Sequence, residues 1–345
     1  MASRLLAHDR VNEFVTRLLA SSEVVAPRQM EGGELLYTTV TSPEEVAWGP
    51  GIPVEPLKRF LMPQRETILR FSKNGGLDVS AVYDDRPRVF LAARCCDVTG
   101  VSVLDAMFGG TYKDPYYLMR RDQSTFIALS CQQPDPTCFC VCGDAGPFLK
   151  RGYDQQWTAL PEGMLVEIGS PRGQELLEAH ADLFQPAELE HIKRRHQLAK
   201  ETETHFGDFR AYVAGAMRKL SMEEVEGQVW QQLADRCVDC GGCAFLCPTC
   251  SCFTTTDRFD GHDGARERHW DACTYSCYAR EASGHNPRAQ RRTRLHARFF
   301  HKLSHQWAQR NTRHACVCCG RCLTTCMAWA HMPAAAEAMR RGAVT

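Results

Sequence analysis

Cysteine carries most of the chemistry in this sequence, and its spacing is specific. Cys237, Cys240, Cys243 and Cys247 spell C-x2-C-x2-C-x3-C followed by Pro248, and Cys316, Cys319, Cys322 and Cys326 repeat the run. A four-iron cubane needs four thiolates converging from different directions. Three cysteines placed three apart wrap a tight loop around one cubane, and the fourth points to a neighbouring one. The spacing therefore predicts two [4Fe-4S] clusters. Cys237, Cys240, Cys243 and Cys326 would hold the first, and Cys316, Cys319, Cys322 and Cys247 the second. Gly241, Gly242 and Gly320 let the backbone pass close to the sulfides. Structural zinc prefers two separated C-x2-C pairs to four cysteines in one run. Met327 stands where a proline usually follows the second run, a position that shapes the chain exit and ligates nothing.

The remaining cysteines divide into two sets. Cys250, Cys252, Cys273 and Cys277 lie between the runs and read either as a further metal site or as thiols packed near the clusters, and Cys318 is spare in the same sense. Cys243, Cys247 and Cys250 also spell the C-x3-C-x2-C of radical S-adenosylmethionine enzymes. Thr249 stands where those carry an aromatic residue, and two of the three belong to the longer run. Further upstream, Cys96 follows one predicted strand and Cys131 another. Loops at the carboxyl ends of neighbouring strands converge in open α/β sheets. Cys138 and Cys140 share the loop of Cys131, so Cys96, Cys131, Cys138 and Cys140 are candidates for a third cluster, with Cys95 and Cys142 as substitutes. Inert thiols are the competing reading.

The elements that must position these residues follow from pattern. The chain has 345 residues, which suggests two or three domains. Val11, Phe14, Val15, Leu18 and Leu19 predict an amphipathic helix. Strands are predicted over 35–41, 89–94, 125–130 and 164–168, with a helix over 98–108 and a loop around Pro50, Gly51, Pro53 and Pro56. Residues 1–173 thus read as an α+β or α/β domain. From 174 the pattern turns helical. Ser221 to Glu224 fits a capping box opening a helix to Arg236, so 174–236 reads as a helical connector. Residues 237–345 form the helical, ferredoxin-like di-cluster domain, with a long insert over 248–315.

Composition excludes several classes. Lys and Arg total 41 and Asp and Glu total 41, so bulk charge does not hold nucleic acid. Arg288, Arg291, Arg292, Arg294, Arg298 and Lys302 form a basic stretch, while Leu295, Phe299, Phe300 and Leu303 recur at helical spacing beside it. The stretch reads as a solvated face, as charge that offsets clusters or docks a partner, or, least, as a nucleic-acid contact. No apolar run is long enough to insert into a membrane. Residues 1–30 lack an apolar h-region and a small-residue cleavage site, which predicts a cytoplasmic protein. In a reducing compartment, 19 clustered cysteines point to metal or redox cofactors rather than disulfides.

Seven segments together resemble a known family. They are Arg94-Cys95-Cys96-Asp97, Leu104-Asp105, Arg120-Arg121-Asp122, Cys138-Phe139-Cys140, Cys247-Pro248-Thr249-Cys250-Ser251-Cys252, Trp270-Asp271-Ala272-Cys273 and Ala282-Ser283-Gly284-His285-Asn286-Pro287-Arg288. With the second cysteine run, they make the chain similar, over roughly residues 10 to 330, to the beta subunit of sulfhydrogenases, the NAD(P)-linked [NiFe] hydrogenases. The equivalent electron-transfer component of an anaerobic sulfite reductase, a related protein, is the alternative. The resemblance implies a non-catalytic electron-transfer subunit between a flavoprotein that handles NAD(P)H with FAD and the small and large subunits of a [NiFe] hydrogenase. A metal-stapled binding module is the distant alternative. The chain shows no G-x-G-x-x-G after a strand and no G-x4-G-K-[ST], so it offers no evident nucleotide site. Its first cysteine is Cys95, so the N-terminal cysteine pair of a [NiFe] large subunit is missing.

Overall fold

The computed structural model describes residues 3–73 and 76–344, with residues 207–212 described by their backbone. The chain opens with β1 (Arg4–Ala7), α1 (His8–Leu19), β2 (Glu23–Gln29) and β3 (Leu35–Thr39). Val11, Phe14, Val15 and Leu18 form the buried stripe of α1, as their spacing requires. There follow α2 (Lys58–Leu61), β4 (Arg65–Ser72), β5 (Asp78–Ala81), β6 (Arg88–Arg94), α3 (Cys95–Phe108), α4 (Pro115–Asp122) and β7 (Ser124–Leu129). Then come β8 (Gln155–Leu160), β9 (Gly163–Ile168), α5 (Pro171–Glu178) and β10 (Phe184–Pro186).

Eight of these strands make one mixed sheet in the order β10-β1-β9-β8-β7-β6-β2-β3. Its centre, β2-β6-β7-β8, is parallel, and the flanking pairs are antiparallel. β6 is buried at every position and β7 at all but one, which suits parallel strands covered on both faces. α1 packs with Trp157 on one face, and α3 packs with Phe90 and Phe126 on the other. β6 and β7 end side by side, with Arg94 opposite Leu129. Just before that point the register shifts between Phe90 and Ala93, where Ala92 takes a φ of 53°. The irregularity re-aims the end of β6. α3 starts three residues earlier than its apolar pattern predicts, which puts Cys95 and Cys96 in its first turn.

The helical stretch contains α6 (Leu189–Glu203), α7 (Arg210–Ser221) and α8 (Gly227–Arg236), after the short β10. The capping box expected at Ser221 does not form. Ser221 is the last residue of α7, and its hydroxyl oxygen accepts the His305 N–H at 3.0 Å. α8 starts later, with Glu226 before it making no side-chain cap. Local hydrogen-bonding potential lost here to a tertiary partner.

The last part holds α9 (Gly242–Phe245), β11 (Phe253–Phe259), β12 (Asp263–Trp270), α10 (Arg291–Leu303), α11 (His305–Asn311), α12 (Arg321–Thr325) and α13 (Met332–Arg341). Residues 253–270 form a hairpin that the sequence pattern did not reveal. The hairpin extends β4 and β5 into a second, antiparallel sheet ordered β11-β12-β4-β5. Buried charge fixes its position: Glu66 of β4 accepts from Arg120 of α4 at 2.5 Å and from Arg268 of β12 at 2.7 Å. The Trp270 indole N–H donates to the Met62 carbonyl at 2.8 Å. Among the described residues, no helix is long and apolar enough to cross a membrane.

Candidate metal centres

The two cysteine runs adopt the same backbone. In the first, Asp239 has a φ of 53° and Gly241 a φ of 73°; in the second, Cys318 has 54° and Gly320 has 86°. Gly241 precedes α9 and Gly320 precedes α12, so each run turns through a left-handed glycine into a short helix. Cys318 therefore occupies the place of Asp239, a turn position. That explains why a fifth cysteine fits in the second run without belonging to its ligand spacing.

Each run contributes three cysteines to a cavity completed by the other run's fourth. Cys237, Cys240, Cys243 and Cys326 line one cavity. Cys247, Cys316, Cys319 and Cys322 line another, with Cys318 at its wall. Cys243 and Cys247 thus face different cavities, which separates the residues of the C-x3-C-x2-C spelling. Four sulfurs on a single zinc would lie about 3.8 Å apart, given tetrahedral bonds of about 2.3 Å. Among the described residues, no three Cys, His, Asp or Glu side chains converge tightly enough to share one metal ion. The thiols surround volumes rather than points, which suits a polynuclear group.

A third cavity lies at the carboxyl ends of β6 and β7. Cys96, Cys131, Cys138 and Cys140 line it, together with Cys95. The parallel pairing of β6 and β7 brings Cys96 and Cys131 to the same edge. Cys96 sits in the first turn of α3, where burial pushes its thiol pKa up. Cys95 instead donates its thiol hydrogen to the Pro147 carbonyl at 3.0 Å. The same Cys95 S–H can turn instead to the Cys131 sulfur, an alternative that draws the Cys131 pKa down to about 7. Burial pushes Cys138 up to about 12. Cys142 does not line this cavity; it packs on the helical core, and its carbonyl meets His314 Nε2 at 3.1 Å.

The third cavity adjoins the second. Cys96, Cys138 and Cys140 pack with Val317 and Cys319 in one buried cluster. The Phe139 N–H donates to the Cys318 carbonyl at 3.1 Å. Beneath them lies an ion pair that sequence reasoning missed. Asp97 accepts two hydrogen bonds from Arg321, at 2.8 and 2.7 Å, and both residues are buried. Tyr37 donates its hydroxyl to Asp97 at 3.0 Å, and Arg321 Nε donates to the Pro53 carbonyl. The signal was present as an aspartate directly after two cysteines and an arginine inside a cysteine run.

The basic stretch divides: Arg291 and Arg292 are exposed, as a solvated face requires, Arg288 is half-buried, and the other three are not on the surface. Arg294, Arg298 and Lys302 are 4%, 3% and 3% exposed, on a stripe of α10 beside the buried Leu295, Phe299 and Leu303. Arg294 binds Asp239 and the Thr274 carbonyl. Lys302 donates to the carbonyl and hydroxyl of Thr249, while Lys58 of α2 donates to the carbonyls of Ala244 and Cys250. Burial pushes the Lys58 pKa down to about 8 against the opposing pull of Cys250 and Cys247. Of the insert cysteines, Cys250 hydrogen-bonds Cys247 and Cys252 hydrogen-bonds Cys273, whereas Cys277 is exposed.

Comparison with known proteins agrees with this chemistry. Residues 236–330 match a family described as a 4Fe-4S dicluster domain, and residues 201–250 match a second family of the same description. The chain is 28% identical over 326 residues to the sulfhydrogenase 2 subunit beta of Pyrococcus furiosus, covering 92% of this chain and 92% of that one. The resemblance drawn from the motifs is thus found along nearly the whole length.

Proposed function

We propose that the chain is the electron-transfer iron–sulfur subunit of a multi-subunit hydrogenase. It relays single electrons between an FAD-containing flavoprotein that handles NAD(P)H and a [NiFe] module, in the cytoplasm. The observation that carries this reading is the succession of three thiol-lined cavities in one packed interior. Similarity to a sulfhydrogenase beta subunit supports the choice of complex over a sulfite reductase.

The residues fit the group. Each of the first two cavities offers four thiols and a glycine turn that keeps side chains off the backbone, and the second is also lined by the buried cations Arg298 and Lys302. When bound, a [4Fe-4S] cluster supplies one-electron storage at a potential set by charge, burial and hydrogen bonds to sulfur. Cys237, Cys240, Cys243 and Cys326 would hold one, and Cys247, Cys316, Cys319 and Cys322 the other. Cys96, Cys131, Cys138 and Cys140 would hold a third, with Cys95 kept protonated by its carbonyl partner. Lys302 and Lys58 place positive charge behind Cys247 and Cys250, and Arg321 places it between Cys319 and Cys96. Both lysines reach the cysteine segment through backbone carbonyls and so also clamp it in place.

The test is iron and acid-labile sulfide on anaerobically purified chain, followed by low-temperature EPR after dithionite. About twelve irons per chain are expected, and about eight would remove the third site. Stoichiometric zinc with a silent spectrum would overturn the redox reading.

A further inference from the structure

Lys58, Arg298, Lys302 and Arg321 are buried cations beside the two cysteine runs. Three have their hydrogens placed. Lys58 and Lys302 each bond two oxygens, and Arg321 is paired with Asp97 and the Pro53 carbonyl. Arg298 differs. Its Nη2 donates to the carbonyl of Cys243 at 3.3 Å, but its buried Nε and Nη1 have no partner among the described residues. A guanidinium that is 3% exposed with two idle donors is costly, because no carboxylate among the described residues pairs with it to offset the lost hydration.

The surroundings of Arg298 identify what would satisfy it. The carbonyl it bonds is that of Cys243, and the thiols of Cys247, Cys316, Cys319 and Cys322 line the cavity whose wall it shares. Cys243 lines the first cavity, and Cys322 and Cys247 line the second. Arg298 itself forms part of the second cavity's wall, while Leu295, one turn earlier on α10, forms part of the first. The side chain therefore lies between the two cavities, with unspent N–H groups in a sulfur-rich environment.

Resting on the two-cluster reading above, we propose that Arg298 is a positioning residue shared by both sites. It offers Nε–H and Nη1–H to sulfur and, through its fixed charge, holds the reduction potentials of both centres up together. Positive charge and hydrogen bonds to sulfur favour the reduced, more negative state of an iron–sulfur centre. A single cation between two centres makes their reduction properties change together rather than one at a time.

The experiment is a redox titration of the anaerobic full-length chain, followed by EPR and visible absorption, on the parent, Arg298→Met, Arg298→Gln and Arg298→Lys. In Arg298→Met both midpoints should fall, each by at least tenfold in the reduction equilibrium, about 59 mV for one electron. Arg298→Lys, which keeps the charge but not the fork, should recover part of both shifts. Arg298→Gln, which keeps N–H donors without charge, carries the same reading if the Met variant does not load iron. Unchanged midpoints in loaded Met or Gln variants overturn the proposal, and so does a shift confined to one centre. Loss of iron in all three variants marks Arg298 as a strut alone and also overturns it. A parent chain without clusters would instead defeat the function proposed above.

Discussion

Single residues decide whether each cavity can do its work. Cys240→Ala or Cys319→Ala removes one of four thiols from its cavity. Either should stop NAD(P)H-linked electron flow while the isolated catalytic module still turns over with an artificial donor. Unchanged linked turnover in both variants would contradict the relay. Asp97 presents a different kind of dependence. Its carboxylate is the ionic partner of a fully buried guanidinium, and removing one member of such a pair typically costs about 3–5 kcal/mol. Asp97→Ala should lose stability on that scale in anaerobic denaturant unfolding, and a denaturation midpoint equal to the parent's would refute the assignment. His331 adds a pH dependence. Its Nδ1 accepts the Ala334 N–H at the start of α13, and burial holds its pKa below the ordinary 6.5. As pH falls below about 6.5 the unfolded chain takes a proton that the folded imidazole refuses, so stability is lost on the acid side. His331→Asn keeps a cap without that proton and should lose less stability between pH 7 and 5.5. An equal loss in both proteins would show that His331 is not the source.

At the scale of elements, the two turn glycines look alike in sequence and differ in consequence. A Cβ on Gly320 would lie 2.5 Å from the Thr137 carbonyl oxygen, whereas one on Gly241 would meet the terminal hydroxyl of Tyr275. Both substitutions incur the cost of a left-handed backbone, about 1–2 kcal/mol. Only the first also collides with main chain, and that chain is the loop carrying Cys138 and Cys140. Gly320→Ala should therefore destabilise more than Gly241→Ala and release iron from the third site first. Equal effects on iron content would contradict this ordering.

The same scale shows what sequence could and could not reveal. Strands over 35–39, 88–94, 124–129 and 163–168 were legible because their apolar runs are long enough to have one reading. Ligand spacing in the two runs was legible because the loop geometry is local. β11 and β12 were not, since Thr254, Thr255 and Thr256 are exposed and the strands gain their order from β4, far off in sequence. The role of the basic stretch was hidden for a related reason. Both an apolar and a basic stripe of α10 are buried, and only the cavities around it explain the second. The Ser221 box failed because capping chemistry is local, while His305 reaches it from 84 positions away.

For the molecule as a whole, the segment between the cysteine runs is not a loose insertion. β12 pairs with β4 through most of its length, and Glu66 of β4 binds Arg268 of β12 in the interior. A fragment consisting of residues 237–345 would expose that strand edge and leave Arg268 without its carboxylate. Such a fragment should aggregate or fail to retain iron, as read by gel filtration and metal content. A monomeric fragment carrying about eight irons would show the region to be autonomous after all.

The contact between Phe139 and Cys318 also bears on how the protein is made. The walls of the upstream cavity rest on a stretch that leaves the ribosome long after they do. Its thiols emerge early yet stay unshielded until the second cysteine run has been synthesised and packs against them. On the proposal of a third cluster there, metal delivery to that pocket would have to wait for the later stretch, and until then those sulfurs would depend on the cell to keep oxidants away.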